Sequence, residues 1–267
     1  PERCSDPCLT ITELNMTKVY GSLVVKNEIG RYLKPCIDWA SLFLDEIFVF
    51  DDRSTDGSAE LARDLGCIVR TRDESTPSFI QHEGQFREAA WAAFEESIRP
   101  AQSRDWVLAF DADEFLVSDT DVRESLLAAI GKVESNRTVG IVLPFREIFK
   151  VDSDGVMYAR IDGFWAKVRG PRLFRYLRNG VWNNKPMGCG SEPNYVSSSR
   201  YHSTATCGLS VIHLGYARDA DKQDKYSRYS SLVQHGHSDS HIESILAKPH
   251  LEEMGSGILS LDGVSFE

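Results

Sequence analysis

The chain has 267 residues, 42% of them hydrophobic, which is long enough for one large α/β domain with a sizeable core. Asp and Glu (40) outnumber Lys and Arg (30), giving a formal charge of −10 that argues against a broadly basic nucleic-acid groove. No run of about 18 apolar residues is present, so no membrane-spanning helix is expected.

From the N-terminus, Tyr20 to Val25 form a short apolar run that ends in Lys26, Asn27 and Glu28. Leu33, Ile37, Ala40 and Leu44 recur at helical spacing, so a helix is expected over Arg31 to Phe43. Ile47 to Phe50 read as a strand that ends in Asp51 and Asp52. Asp56 or Ser54 can cap a helix over Ser58 to Leu65, which Gly66 would end. Cys67 to Val69 read as a short strand. A helix over Glu83 to Ile98 turns Phe86, Ala89, Ala90, Ala93 and Phe94 inward, and Pro100 follows its end. Trp106 to Phe110 have the length and composition of a buried strand; Asp121 to Ile130 look helical and Val139 to Leu143 look extended. This alternation implies a mostly parallel sheet. Residues 145–215 are rich in aromatics, glycines and arginines without a helical period, which suggests antiparallel strands and long loops. Ala217 to Val233 return to helical character, and the tail after Pro249 is weakly patterned.

No signal-peptide pattern is visible, and a start at Pro1 rather than Met points to an upstream part that was processed away or left out. The six cysteines, Cys4, Cys8, Cys36, Cys67, Cys189 and Cys207, match no zinc spacing. Cys36 and Cys67 lie in apolar surroundings and are expected in the core. This usage suits a reducing compartment, so a cytoplasmic location is expected. The acceptor patterns at Asn15 and Asn136 are of a kind frequent by chance.

The chemistry concentrates in the stretch DWVLAFDADEF, residues 105–115. A strand that ends in carboxylates places hard oxygen ligands at the lip of a sheet. Asp111 and Asp113 are two apart, so in an extended segment they point to one side. Two like charges so close call for a cation between them, and Mg²⁺ or Mn²⁺ would keep positions open for phosphate oxygens. The bland alternative is an exposed acidic turn. Three apolar strands thus end in polar or acidic residues, which gather at the edge where open α/β sheets bind ligands.

VVKNE, DDRSTDGS and DADE, in this order and spacing, resemble the GT-A glycosyltransferases, in particular the family 2-like enzymes. The resemblance covers roughly residues 20–118 well and weaker pieces to about 250. It implies a GT-A, Rossmann-like fold. Residues from about 18 to 118 would form the nucleotide-binding half, from about 119 to 250 an irregular acceptor-side half, and 251–267 a tail. It implies that Val25, Asn27, Glu28 and Asp52 hold the nucleotide, with Glu28 near the ribose and Asp52 near base or ribose. Asp111 and Asp113 would face Mn²⁺ or Mg²⁺ and the sugar donor, a UDP-sugar above all. A late histidine completes the metal shell in several such enzymes, which points to His213 in VIHLGY; the alternative is a core histidine. A basic residue near Arg87 meets the donor phosphates in family members; alternatively Arg87 pairs with Glu83 or Glu88 along its helix.

Further candidates come from the residues themselves. Lys225 leads a basic cluster with Arg218, Lys222 and Arg228 and could steady a leaving pyrophosphate; the alternative is a solvated helix face. An inverting enzyme needs a carboxylate to deprotonate the acceptor hydroxyl. Asp162, beside Trp165 in RIDGFWAK, is the first choice and Glu192 the rival, so the stereochemistry stays open. His235, His237 and His241 read as a polar loop rather than a metal site. The expected function is metal-dependent transfer of a sugar to a hydroxyl acceptor of unknown identity. A nucleotidyltransferase is disfavoured because VVKNEIGRY has one glycine and no phosphate loop; an inactive nucleotide-sugar-binding module is the other alternative.

Overall fold

A computed structural model describes residues 17–98, 102–133, 138–162, 170–199, 202–205, 208–230, 239–255 and 259. Its elements in chain order begin with β1 (Val19–Val25), α1 (Leu33–Ala40), β2 (Glu46–Asp51), α2 (Ser58–Asp64), β3 (Ile68–Thr71), α3 (Glu83–Ser97), β4 (Trp106–Asp111) and β5 (Glu114–Val117). Then follow α4 (Val122–Gly131), β6 (Gly140–Val142), β7 (Phe145–Val151), β8 (Met157–Arg160), β9 (Leu173–Arg175), α5 (Asn194–Ser197), β10 (His202–Thr204), β11 (Ser210–His213), α6 (Asp219–Ser230), α7 (Asp239–Leu246) and β12 (Leu251–Gly255).

Seven strands form the main sheet in the order β10-β6-β9-β4-β1-β2-β3. Pairing is parallel through β4, β1, β2 and β3 and again between β10 and β6; β9 runs antiparallel to both its neighbours. The α/β class with a mostly parallel central sheet is as expected. The apolar runs explain it, because strands covered on both faces need hydrophobic residues at every position. In β2, Ile47 and Val49 join one core while Phe48 and Phe50 join the other, packed under α3. Trp91 of α3 stacks on Phe94 at 5.0 Å and is buried with Phe86, so it belongs to the inward face beside the expected phenylalanines.

The second sheet, in the order β12-β8-β7-β11-β5, contains the antiparallel pairs expected of the second half, with one parallel pair, β7–β11. The expectation of a weakly patterned tail is corrected, since Leu251–Gly255 forms an edge strand on β8. The adjacent, exposed Glu252 and Glu253 break the apolar alternation and hid it, as charged residues do on edge strands.

Element ends differ in instructive ways. α1 begins at Leu33 rather than Arg31, because residues 28–31 close a turn through Arg31 N and Glu28 O (3.2 Å). At the start of α2 the cap position is Gly57, at φ 95°; Asp56 instead accepts the Ser58 amide at 2.9 Å. Asp121 caps α4 by accepting the Glu124 amide at 2.8 Å. The most consequential difference lies in DADE. Asp111 ends β4 in the first sheet, Ala112 and Asp113 turn, and Glu114 opens β5 in the second. The acidic residues therefore do not lie on one extended strand: their turn is the pivot between two sheets.

Candidate active site

The carboxyl ends of β1, β2 and β4 open on a cleft. Glu28, Asp52, Asp111, Asp113, His213 and Lys225 all line it. These candidates stand up to roughly two hundred positions apart in sequence and are gathered where open α/β sheets bind ligands.

The loops after β1 and β2 are laced together. Asn27 donates its backbone N–H to Ser54 Oγ (2.9 Å), and its Oδ1 accepts the Thr55 amide (2.8 Å). Lys26 Nζ donates to the carbonyls of Asp52 and, at 2.8 Å, of Arg53. Asn27 (φ 54°) and Arg53 (φ 58°) both hold left-handed backbone, which costs an L-residue roughly 1–2 kcal/mol. The lacing offsets that strain. Asn27 thus shapes the loop, and the buried Val25 takes part through its carbonyl, which accepts the Asp52 amide at 2.8 Å.

Asp52 is buried, with one carboxylate oxygen on Arg72 Nε and the other accepting the Phe79 amide at 3.2 Å. Glu28 is gripped by Arg31 at 2.9 and 2.8 Å. Burial pushes its carboxyl up to about 7, against the pull of Arg31. Arg31 reaches on to Asp221 at 3.1 Å, a buried carboxylate that also accepts from Tyr32 Oη (3.2 Å) and from Arg218 (2.8 and 2.9 Å). This network pins the first turn of α6, the helix that carries Lys225, onto the segment after β1. Sequence reasoning missed Arg31 and Asp221; Asp221, at an otherwise polar helix start, gave no signal.

The second sheet supplies the rest. In register, His213 of β11 lies opposite Glu114 on one side and Glu147 on the other. His213 Nδ1 donates to the buried Glu147, since a carboxylate there only accepts. Nε2 is thereby turned to Asp113, with Oδ1 at 3.4 Å. A carboxylate behind a histidine is the arrangement that orients metal-binding imidazoles. Glu147 was also missed, although a glutamate inside the apolar strand FREIF was a usable signal. Burial opposes ionisation of Asp113, yet Lys225 and His213 hold its carboxyl well below the usual range. Lys225 Nζ lies 3.3 Å from Asp113 Oδ2 and 3.4 Å from His213 Nε2.

Asp111 is the open member, with its side chain 46% exposed and Arg172 Nη2 at 3.5 Å. Glu114 turns inward instead. It takes Arg172 on Oε1 and the Asp111 amide on Oε2 (3.1 Å), so it braces the turn from behind. Gly215 backs the cluster. A Cβ there would collide with Lys225 Nζ and stand 2.5 Å from both Asp113 Oδ2 and His213 Nε2. Gly215→Ala should therefore lower any activity that depends on this cluster roughly a hundredfold by displacing these groups. Initial-rate measurements beside a melting curve check this, and wild-type rates in the variant would contradict the packing.

Other candidates lie elsewhere. Arg87 pairs with Glu83 at 2.7 Å, lies 5.2 Å over the Phe79 ring and lines a smaller neighbouring pocket that shares Asp111. Asp162 is gripped by Arg160 and does not line the cleft, so the structure does not bring it to the other candidates. Glu192 packs against Gly170 and Gly190, and burial raises its carboxyl. Cys36, Cys67 and Cys189 are buried free thiols. Cys4, Cys8, Cys207, Trp165, His235, His237, Asn15 and Asn136 lie outside the described residues. Among the described residues no three His, Cys, Asp or Glu side chains converge as a ready-made cage for a metal, and no helix is long and apolar enough to cross a membrane.

No protein-family model matches the chain. Two uncharacterised proteins, from Mycobacterium bovis and Mycobacterium tuberculosis, are each 34% identical to it over 101 residues. That segment is 36% of this chain and only 24% of either relative's length. Among solved structures, mannosyl-3-phosphoglycerate synthase from Rubrobacter xylanophilus is 20% identical, with a TM-score of 0.36 over 50% of this chain and 42% of that one. Glucosyl-3-phosphoglycerate synthase from M. tuberculosis, in complex with Mn²⁺, UDP-glucose and phosphoglyceric acid, is 21% identical, with a TM-score of 0.36 over 52% and 49%.

Proposed function

We propose that this chain is a metal-dependent glycosyltransferase of GT-A type that moves a sugar from a UDP-sugar to an acceptor hydroxyl. One observation carries the reading: the acidic turn after β4, the carboxylates after β1 and β2, and a carboxylate-backed histidine line a single cleft. Glu28 and Asp52 are proposed for the nucleoside end, with the Asp52 oxygens already fixed by Arg72 and the Phe79 amide.

The donor set suits a hard divalent ion. His213 Nε2 and Asp113 Oδ1 are 3.4 Å apart, close to the separation of about 3 Å between adjacent ligands in an octahedral shell with bonds near 2.1 Å. Asp113 and His213 would hold Mn²⁺ or Mg²⁺, with Asp111 as the exposed third donor. A bound ion supplies Lewis-acid neutralisation of the pyrophosphate. Lys225 adds a cation on the same side of the cleft for the leaving group.

Nucleotide release from UDP-, GDP- and dTDP-hexoses, with Mn²⁺ or with excess EDTA, tests the proposal. The expected result is UDP release that needs the metal. Undiminished release in EDTA, or no UDP binding by calorimetry with or without Mn²⁺, would sink it. His213→Ala should raise the Mn²⁺ concentration needed for half-maximal rate by roughly 10–100-fold, the range found when groups supporting a metal site are removed. A histidine that merely fills the core would change melting temperature and leave the Mn²⁺ requirement where it was.

A further inference from the structure

The place between Asp113 and His213 already holds a cation, and it belongs to the chain. Asp113 Oδ2 and His213 Nε2 both face Lys225 Nζ, at 3.3 and 3.4 Å. His213 is oriented by Glu147 at Nδ1, and its Nε2 lies 3.4 Å from Lys225 Nζ and 3.4 Å from Asp113 Oδ1. Lys225 is 8% exposed, and its Nζ lies 4.4 Å from the Tyr216 ring centroid, a face that favours positive charge. A carboxylate oxygen and an imidazole nitrogen are the donors proposed above for a divalent ion.

We infer that Lys225 is a tethered resident cation, which holds Asp113 and His213 in place in the metal-free protein and must withdraw when a divalent ion binds them. The inference rests on the metal-dependent reading. Its logic is electrostatic. Without a cation, a buried carboxylate beside Glu114 and Glu147 would be costly, and the ammonium prevents that. With a divalent ion between the same donors, an ammonium at this distance is strongly repelled.

The architecture allows the side chain to move while its helix stays. Asp221 fastens the start of α6 through Arg218, Arg31 and Tyr32. Lysine's four-carbon stem can swing about that fixed point. The space beside it is the cleft itself, which Lys225 lines together with Glu28 and Asp111. An ammonium driven from Asp113 enters the volume where donor phosphates would lie. Metal and nucleotide should therefore bind cooperatively, because the phosphates offer the displaced lysine a new partner.

The test is Mn²⁺ binding followed by calorimetry and by electron paramagnetic resonance, using the metal alone and then the metal with UDP. Wild type is compared with Lys225→Met, and with Lys225→Gln, which retains polarity should Met unsettle the fold as judged by circular dichroism. Without nucleotide, both variants should bind Mn²⁺ at least about tenfold more tightly than wild type. The strengthening of Mn²⁺ binding by UDP should shrink in both. Wild type that binds Mn²⁺, with variants that bind it equally or more weakly, overturns the resident-cation inference and leaves the glycosyltransferase reading standing. No Mn²⁺ binding by any of the proteins, with or without UDP, overturns the metal reading and this inference with it.

Discussion

Asp113→Asn should lower metal-dependent turnover of the sugar donor by roughly 10²–10³-fold, the scale of losing one preorganised electrostatic contact in a closed site. Asp113 is the hub of the cluster, in reach of His213 Nε2 and Lys225 Nζ. The amide keeps the shape and removes the charge, so His213 and Lys225 lose their shared anion. Asp111→Asn should act in the same direction through the exposed donor. Because that side chain is 46% exposed, its stability change should stay within about 0.5 kcal/mol. Initial rates at saturating Mn²⁺, read beside circular dichroism, check both variants. Full activity in each would remove the acidic turn from the chemistry.

Arg172→Met is expected to have the largest effect on the fold. Arg172 and Glu114 are 8% and 3% exposed, and they meet behind the acidic turn. Removing one partner of a buried ion pair costs about 3–5 kcal/mol, because the remaining charge is left without compensation. The loss has a definite pH dependence. Burial raises the Glu114 carboxyl above its ordinary 4.5 and Arg172 opposes that rise, so the variant raises it further. A carboxyl raised in the native state keeps its proton where the unfolded chain has lost it. Stability then falls as pH climbs above 4.5. Urea unfolding at pH 5 and pH 8 should show the deficit of the variant growing toward the higher pH. An equal deficit at both would show that packing, not charge, is what Arg172 contributes.

Much of the first half is legible in the chain. The strands over Val19–Val25, Glu46–Asp51 and Trp106–Asp111 announce themselves because parallel strands covered on both faces read as largely apolar runs, broken in the first only by Gly21 and Ser22. Glu28, Asp52, Asp111 and Asp113 follow those runs at once, so their common edge can be read from order alone. The supports of the site are less legible. Glu147 meets His213 through strand register, and Arg172 reaches Glu114 across the change of sheet; neither relation leaves a spacing in the sequence. Asp162 shows the reverse situation. Its neighbour Trp165 suggests a sugar site and Gly163 a turn, and the carboxylate is paired with Arg160 two residues back. Lys225 is the middle case: its helix is visible, and its burial between Asp113 and His213 is a tertiary fact.

The pivot at Ala112–Asp113 also bears on how the protein is made. β5 leaves the first sheet as soon as it is synthesised, yet its partner β11 emerges roughly ninety residues later. Until then Glu114–Val117 presents an unpaired apolar edge. The buried Glu114 is likewise synthesised well before Arg172. A ribosome-bound chain stopped near residue 200 would carry β1 to β4 and α3 but lack β11 and α6, and so both His213 and Lys225. Such nascent chains are where chaperone engagement should concentrate, and the ligand cleft should be the last part of the molecule to form.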